Sequence, residues 1–384
     1  MLQYQVVSFT TNYIYYERDV QIDKNKAFIE LDELLKREKS KLDEIPPAVY
    51  HTIASSMDVF RTLKYKLSNF YSMQISTNAS MKMYELLSTF NLIYKDNFNV
   101  FCNAELPGSF ITTINHYIKT KTQYNYDWLA CSYLGEDGTT LGDYYGLYEK
   151  NLDHWIMDKY MNGDISKLTN VTKIAYRVKR KFPNGVDLYT SDIGVDVSTN
   201  YNDQEEKMLM LNSMQILCGI LCLAKGGSMI TKQFTFFTPF NRSLIQLLTT
   251  IFEEVHITKP ETSRPINSEI YIVCLRFKGI NVGLQRRLLN TAKNNFHKER
   301  TLVKLDENIN DLLYYIADNI YNRQIIALRF AYRMYEKHNS EVGHLFNHFK
   351  ATNNRIQSDW IYRTKIRKIN KKDYIPMNSI EKNI

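Results

Sequence analysis

Two hydrophobic periods alternate along the chain. Between residues 78 and 94, Met83, Leu86, Leu87, Phe90 and Tyr94 recur at helical spacing and predict one apolar helix face, with Lys82 at its edge. From about residue 98 the pattern shortens. Residues 99–104 read as a buried strand, Glu105-Leu-Pro-Gly-Ser109 as a tight turn, and 110–119 as a helix. The alternation then repeats. Strands are expected at 127–133, 186–190, 228–234, 255–258 and 270–277. Helical stretches fall between them, including a basic one ending at residue 181 and one at 240–252. Asn202 and Glu205 have the spacing of a capping box for a helix through Met208, Leu211, Gln215, Cys218 and Cys222, which Gly226-Gly227 should stop. Strands separated by helices predict an α/β fold with a mainly parallel sheet covered on both faces. If the last strand returns antiparallel, its first residue lies at the rim where the parallel strands end.

The flanks differ. Residues 1–45 combine a Tyr-rich, strand-like start with a charged helix, Pro46-Pro47 interrupts, and a helix is expected at 48–70. Beyond residue 295 the chain reads as helical and basic, with an amphipathic run at 309–335 and a positive run, Ile366-Arg-Lys-Ile-Asn-Lys-Lys372. That run could hold RNA, dock a partner or cover the domain. The expected division is 1–74, 75–290 and 291–384.

Composition narrows the function classes. The chain has 384 residues, 44% hydrophobic, enough for a sizeable core, and a formal net charge of +8. Such a charge suits a polyanionic partner without requiring one. The five cysteines form no C-x-x-C pair and no zinc spacing with the histidines, so buried thiols and a reducing compartment are expected. The first residues lack the basic and apolar regions of a signal peptide, and no run is apolar enough for a membrane span. Neither a P-loop nor a G-x-S-x-G nucleophile elbow is present.

Four residues carry the candidate chemistry. Lys82 lies in Thr77-Asn-Ala-Ser-Met-Lys-Met-Tyr-Glu-Leu-Leu87, Asp192 ends Leu188-Tyr-Thr-Ser-Asp, Lys232 ends Lys225-Gly-Gly-Ser-Met-Ile-Thr-Lys, and Glu269 ends Ser263-Arg-Pro-Ile-Asn-Ser-Glu. Singly, Asp192 could be a turn residue, Lys232 a solvated strand end, Glu269 a surface acid and Lys82 a snorkelling boundary lysine. Together, the order and local frames resemble the Lys-Asp-Lys-Glu tetrad of the FtsJ-like (RrmJ-type) RNA ribose 2′-O-methyltransferases, over about residues 75–278. The segments at 110–118 and 155–165 are more similar to the eukaryotic and viral cap-methylating branch, including that of large cytoplasmic DNA viruses.

The resemblance implies a Rossmann-like methyltransferase fold with helical appendages and S-adenosylmethionine as cofactor. It implies that Glu105, Leu106, Pro107, Gly108, Ser109 and Phe110 line the methionine side of that cofactor, that Asp164 stands near the adenine, and that Asp192 lies beside the reactive centre. Ser132 occupies the position of the family's ribose-clasping acid, with Glu136 and Asp137 close by, and Ala104 replaces the first glycine of the usual loop. The implied partner is RNA, at a capped 5′ end, with other capping or transcription proteins as further partners. No membrane is involved, and the setting is the cytoplasm of an infected cell or the virion.

The chemistry fits these residue types. A ribose hydroxyl is a poor nucleophile until deprotonated. A lysine serves as the base only where burial and a neighbouring cation favour its neutral form. Lys232 is the expected base, Lys82 and the sulfonium the positive field, and Asp192 and Glu269 the groups that orient the two amines. No metal is needed. Arg264, Lys259 and Tyr201 are the expected RNA contacts, positioning phosphates and stacking bases; Lys173, Arg177, Lys179, Arg180 and Tyr176 could equally be a solvated basic helix face. The alternative function is a methyltransferase fold without turnover, serving as an RNA-binding or scaffold subunit.

Overall fold

The computed structural model describes residues 7–10, 23–134, 142–157, 161–194, 204–294, 296, 300–338 and 345–378. Its centre is a sheet of seven strands: β1 (Val7–Thr10), β2 (Phe98–Asn103), β3 (Tyr126–Cys131), β4 (Val186–Ser191), β5 (Leu223–Gln233), β6 (Phe252–Thr258) and β7 (Ile270–Phe277). Their order is β1-β6-β7-β5-β4-β2-β3. The pairs β2–β3, β2–β4 and β4–β5 are parallel, whereas β7 runs antiparallel between β5 and β6, as expected for the last strand. β1 adds an antiparallel edge to β6.

Strand residues alternate between two apolar layers, as the pleat requires. Val100, Cys102, Leu188, Ile230, Tyr271 and Val273 face one core, against α4 (Asn78–Thr89) and α5 (Ser109–Lys121). Phe101, Cys131, Tyr189, Met229, Ile272 and Cys274 face the other. That second layer holds α7 (Leu168–Lys181), α8 (Gln204–Cys222), α9 (Pro239–Ile251) and α10 (Val282–Lys293). It also takes in α1 (Lys24–Ser40), α2 (Pro47–Met57) and α11 (Glu307–His338), so the terminal regions share the central core. A smaller cluster joins α3 (Leu63–Tyr71), α4 and α12 (Leu345–Thr364) around Trp360. The short α6 (Leu147–Lys150) completes the helices used below. All five cysteines are buried and unpaired.

Two expectations are corrected. The single helix at 48–70 is two, α2 and α3, with turns between them. Gly226-Gly227 does not stop α8, which ends at Cys222. The pair lies within β5, where the register against β4 slips between Val186 and Leu188. The Glu205 carboxylate accepts from the amides of Phe237 and Thr238, from Thr235 Oγ1 and from Asn241, gathering the start of α9. Asn202 lies outside the described residues.

The basic run at the C-terminus is a strap rather than a free tail. Ile366, Ile369 and Ile375 are buried. The strap's backbone is bound by Lys121, His116, Tyr71, Asn115 and Gln74 in turn, as it passes along α5.

Candidate active site

In an open α/β sheet, ligands sit beyond the carboxyl ends of the parallel strands. All four tetrad residues are brought to that rim. Asp192 directly follows β4, Lys232 is the penultimate residue of β5, and Glu269 directly precedes the antiparallel β7. Lys82 arrives from α4, whose start is fixed there by a capping box between Thr77 and Ser80. Thr77 Oγ1 also bonds Ser109 Oγ at 2.9 Å, joining the start of α4 to that of α5.

The four form two ion pairs. Lys82 Nζ lies 2.6 Å from Glu269 Oε1, and Lys232 Nζ lies 3.3 Å from Asp192 Oδ1 and donates to the Asp192 carbonyl at 3.0 Å. Both lysines and Glu269 are buried, whereas Asp192 is half-buried. Burial alone would raise the Glu269 carboxyl. The positive charges of Lys82 and Lys232, with hydrogen bonds from Lys82 and Ser263, reverse this and hold it at about 2.

Residues without a strong sequence signal set this geometry. Tyr271 stands directly opposite Lys232 across the β5–β7 ladder, and its hydroxyl donates to Asp192 Oδ1 at 2.8 Å. Burial first, then the charges of Asp192 and Glu269, keep that phenol protonated, its pKa well above the ordinary value. Ser263 Oγ donates to Glu269 Oε1 at 2.6 Å. Glu85, one turn beyond Lys82, accepts from the amides of Glu261 and Thr262, from Thr262 Oγ1 and from Trp360 Nε1. One carboxylate therefore ties the loop carrying Ser263 to the helix carrying Lys82. Only the i, i+3 spacing of Lys82 and Glu85 hinted at a shared face.

The Glu105–Phe110 turn joins β2 to α5 beside Asp192. Glu105 is buried, and its Oε1 accepts from the Ile111 amide at 2.9 Å, capping α5 from within the turn. Burial raises its carboxyl to about 8 against the pull of the helix amides, and the Asp192 charge adds to the rise. Gly108 has φ +109°, and a Cβ there would sit 2.1 Å from Leu147 Cδ2. Ser132 is bound from the other side: its Oγ accepts from the Leu106 amide at 2.7 Å, so it holds the turn. Glu136 and Asp137 lie outside the described residues. Asp164 is placed next to the end of β3, where Asn162 O accepts from the Leu134 amide and Gly163 packs on the Ser132 carbonyl. Its carboxylate is shared by Ser166 and Lys167.

The expected RNA contacts separate. Lys259 turns its amine into its own loop: it donates to Asn267 O, Asn267 Oδ1 and Glu269 O at 2.7, 2.8 and 3.0 Å, clipping the 259–269 loop closed. Burial pushes it down to about 7, against the attraction of Glu269. This corrects its assignment as a phosphate contact. Arg264 keeps a half-exposed guanidinium, 3.7 Å from the buried Asp58 carboxylate at the end of α2. Tyr201 lies outside the described residues.

The charge at this rim suits a cationic ligand. Two carboxyl groups, Glu105 and Asp192, act on each other beside a turn whose glycine admits no side chain. No cluster able to hold a metal ion occurs among the described residues. No helix among them is long and apolar enough to cross a membrane.

Known proteins resemble the chain over the region that holds this site. The family model of the FtsJ-like methyltransferases matches residues 75–277. The "Probable methyltransferase EP424R" of African swine fever virus (isolate Pig/Kenya/KEN-50/1950) is 36% identical, covering 90% of this chain and 85% of that protein. A "Cap-specific mRNA (nucleoside-2'-O-)-methyltransferase 2" of Drosophila melanogaster is 31% identical over 67% of this chain and 38% of that protein. Its mouse namesake is 31% identical over 56% and 30%.

Proposed function

The chain belongs to the FtsJ-like methyltransferase family, and we propose that it transfers a methyl group from S-adenosylmethionine to a ribose 2′-hydroxyl of RNA, at a nucleotide next to the 5′ cap. The observation that carries the reading is the pairing at the strand rim: Lys82 with Glu269 at 2.6 Å and Lys232 with Asp192 at 3.3 Å, beside the Glu105–Phe110 turn. The substrate reading rests on the similarity to the cap-specific enzymes together with this tetrad.

When bound, S-adenosylmethionine supplies an electrophilic methyl group on a positively charged sulfur. The Glu105–Phe110 turn holds the methionine end through backbone groups, Asp192 supplies the negative charge that faces the cation, and Glu105 holds the turn by capping α5. Asp164 stands at the adenosine end. In its neutral form Lys232 Nζ receives the proton of the ribose hydroxyl and becomes the ammonium that pairs with Asp192, which fixes its direction through a carboxylate oxygen and a backbone carbonyl. Tyr271 holds Asp192 in turn. Lys82, aligned by Glu269, stabilises the negative charge developing on the 2′ oxygen. General base catalysis of this kind contributes roughly 10²–10⁴-fold, and alignment of oxygen and methyl group adds to it.

The test is titration calorimetry with S-adenosylmethionine, followed by transfer of labelled methyl to short RNAs. The expected result is saturable cofactor binding and transfer to a capped RNA, lost when the target nucleotide is 2′-deoxy and reduced when the cap is omitted. Equal labelling of the 2′-deoxy substrate would overturn the ribose assignment, and equal labelling of uncapped RNA the cap assignment.

A further inference from the structure

The strap at 365–378 has two distinct sides. Inward, Ile366, Ile369 and Ile375 are buried in the apolar layers. Its backbone is bound along its length. Lys121 donates to the carbonyls of Thr364 and Lys365, His116 Nε2 lies 2.7 Å from the Arg367 carbonyl, and Asn115 donates to the Asp373 carbonyl at 2.8 Å. Gln74 brackets Ile375 with two bonds, and Asn378 N donates to Tyr145 O at 2.8 Å. Outward, Lys365, Arg367, Lys368, Lys371 and Lys372 are all exposed. None of these five side chains makes a hydrogen bond or ion pair among the described residues, and Asp373 is the strap's sole acid. The charges therefore contribute nothing to holding the strap. The attachment uses backbone and isoleucine, which leaves five like charges side by side on a fixed track.

Position adds meaning to charge. The strap passes from the end of α5 to its start, a distance of about 20 Å for a helix of this length. It finishes beside the cofactor turn: Asn378 packs on Gly146, and the next residue, Leu147, packs on Gly108. At the other end, Tyr362 on α12 is 82% exposed. The positive field is also felt by Lys121, whose ammonium is held below its usual range by burial and then by Arg367 and Lys365.

We propose that the outer edge of this strap is a sequence-independent track for the backbone of single-stranded RNA, with Tyr362 as a stacking platform at the end away from the site. The track holds the body of the RNA whose first nucleotides reach the tetrad. It deepens the methyltransferase reading by assigning a second contact region on the same substrate. Phosphates neutralise the lysines and the arginine without base specificity, and an exposed ring stacks any base.

The experiment uses the full chain with Lys365, Arg367, Lys368, Lys371 and Lys372 all changed to Gln, and separately Tyr362→Ala. Binding of a labelled, unstructured RNA is followed by fluorescence anisotropy across a salt series. The multiple variant should bind roughly tenfold more weakly or worse. Its log–log salt slope should flatten by about 0.7 for each engaged cation, up to ~3.5 for all five. Tyr362→Ala should weaken binding with the slope unchanged. Melting temperatures close to wild type establish folding, since every substituted side chain is on the surface. Unchanged affinity and slope in the multiple variant would overturn the track, unchanged affinity in Tyr362→Ala would overturn the platform, and binding of polyglutamate as tight as RNA would overturn the assignment to nucleic acid. Cofactor titration, and methyl transfer to a capped oligonucleotide too short to reach the strap, separate this proposal from the catalytic one. Both should be untouched in the multiple variant. Absence of transfer in the wild type overturns the catalytic reading while the salt slopes still decide the track.

Discussion

Glu269→Gln tests the electrostatic design of the tetrad most directly. In the wild type, Glu269 Oε1 receives both Lys82 Nζ and Ser263 Oγ at 2.6 Å, in a largely buried site. Holding a carboxyl at about 2 instead of 4.5 corresponds to about 3 kcal/mol of stability. Removing one partner of a buried pair typically costs ~3–5 kcal/mol, because the other charge is stranded. The two routes agree, so the variant should lose about 3 kcal/mol at neutral pH. The sign of the pH dependence follows. The folded-state pKa lies below the unfolded one, so the contribution is complete above about pH 5 and is lost as pH falls through 4.5 toward 2. Urea unfolding followed by circular dichroism at neutral pH and near pH 3.5 reads both quantities. The gap between wild type and variant should shrink by roughly 1–1.5 kcal/mol over that interval. A variant within about 0.5 kcal/mol of wild type at neutral pH, the spread of ordinary surface substitutions, would refute the reasoning. So would a gap that does not change with pH.

Further expectations concern the neighbouring groups. Lys232→Ala should abolish methyl transfer while leaving cofactor affinity intact, and Lys232→Arg should not restore it, because guanidinium stays protonated; transfer near the native rate in either variant, measured by label incorporation, would remove Lys232 from the mechanism. Glu85→Gln should set an amide N–H₂ against the donors of Glu261, Thr262 or Trp360, at about 1–3 kcal/mol; kcat should fall with cofactor affinity unchanged, and an unaltered kcat would show that the loop holds its place without the carboxylate. Gly108→Val should weaken cofactor binding measured by calorimetry, because the new Cβ lands 2.1 Å from Leu147 Cδ2 at a backbone angle of φ +109°; wild-type affinity would place the cofactor elsewhere.

The sequence made the strands and the tetrad legible for the same reason. Each tetrad residue sits at a strand end or on an apolar helix, where periodicity is strong, so strand order alone sends Asp192, Lys232 and Glu269 to one rim. What stayed hidden depended on partners distant in the chain. Glu85 reads as an ordinary helix acid until Thr262 and Trp360 close on it. Lys259 reads as a loop cation, and only the folded loop reveals that its amine is committed to Asn267 and Glu269. Ser132 matches the position of a ribose clasp, yet its hydroxyl is already committed to Leu106. The strap shows the same limit. Its isoleucines recur with neither helical nor strand period, so a run of cations hid a set of anchors.

These hidden contacts change what the flanking regions mean for the chemistry. Trp360 on α12 donates to Glu85, Glu85 fixes the loop from 261 to 263, Ser263 donates to Glu269, and Glu269 aligns Lys82. Every link in that series is a hydrogen bond or ion pair between groups with little access to water, where an unmade partner is costly. The C-terminal helix thereby bears on the orientation of a tetrad lysine nearly three hundred residues away in sequence. The N-terminal helices bear on it as well, since Asp58 at the end of α2 anchors Arg264, the residue after Ser263. A catalytic core trimmed to the matched residues 75–277 would keep all four tetrad side chains and lose the supports on both sides of the 259–269 loop. The regions outside the family match are accordingly part of how this chain builds its site, and differences there between relatives bear on alignment of the amines as much as on surface binding.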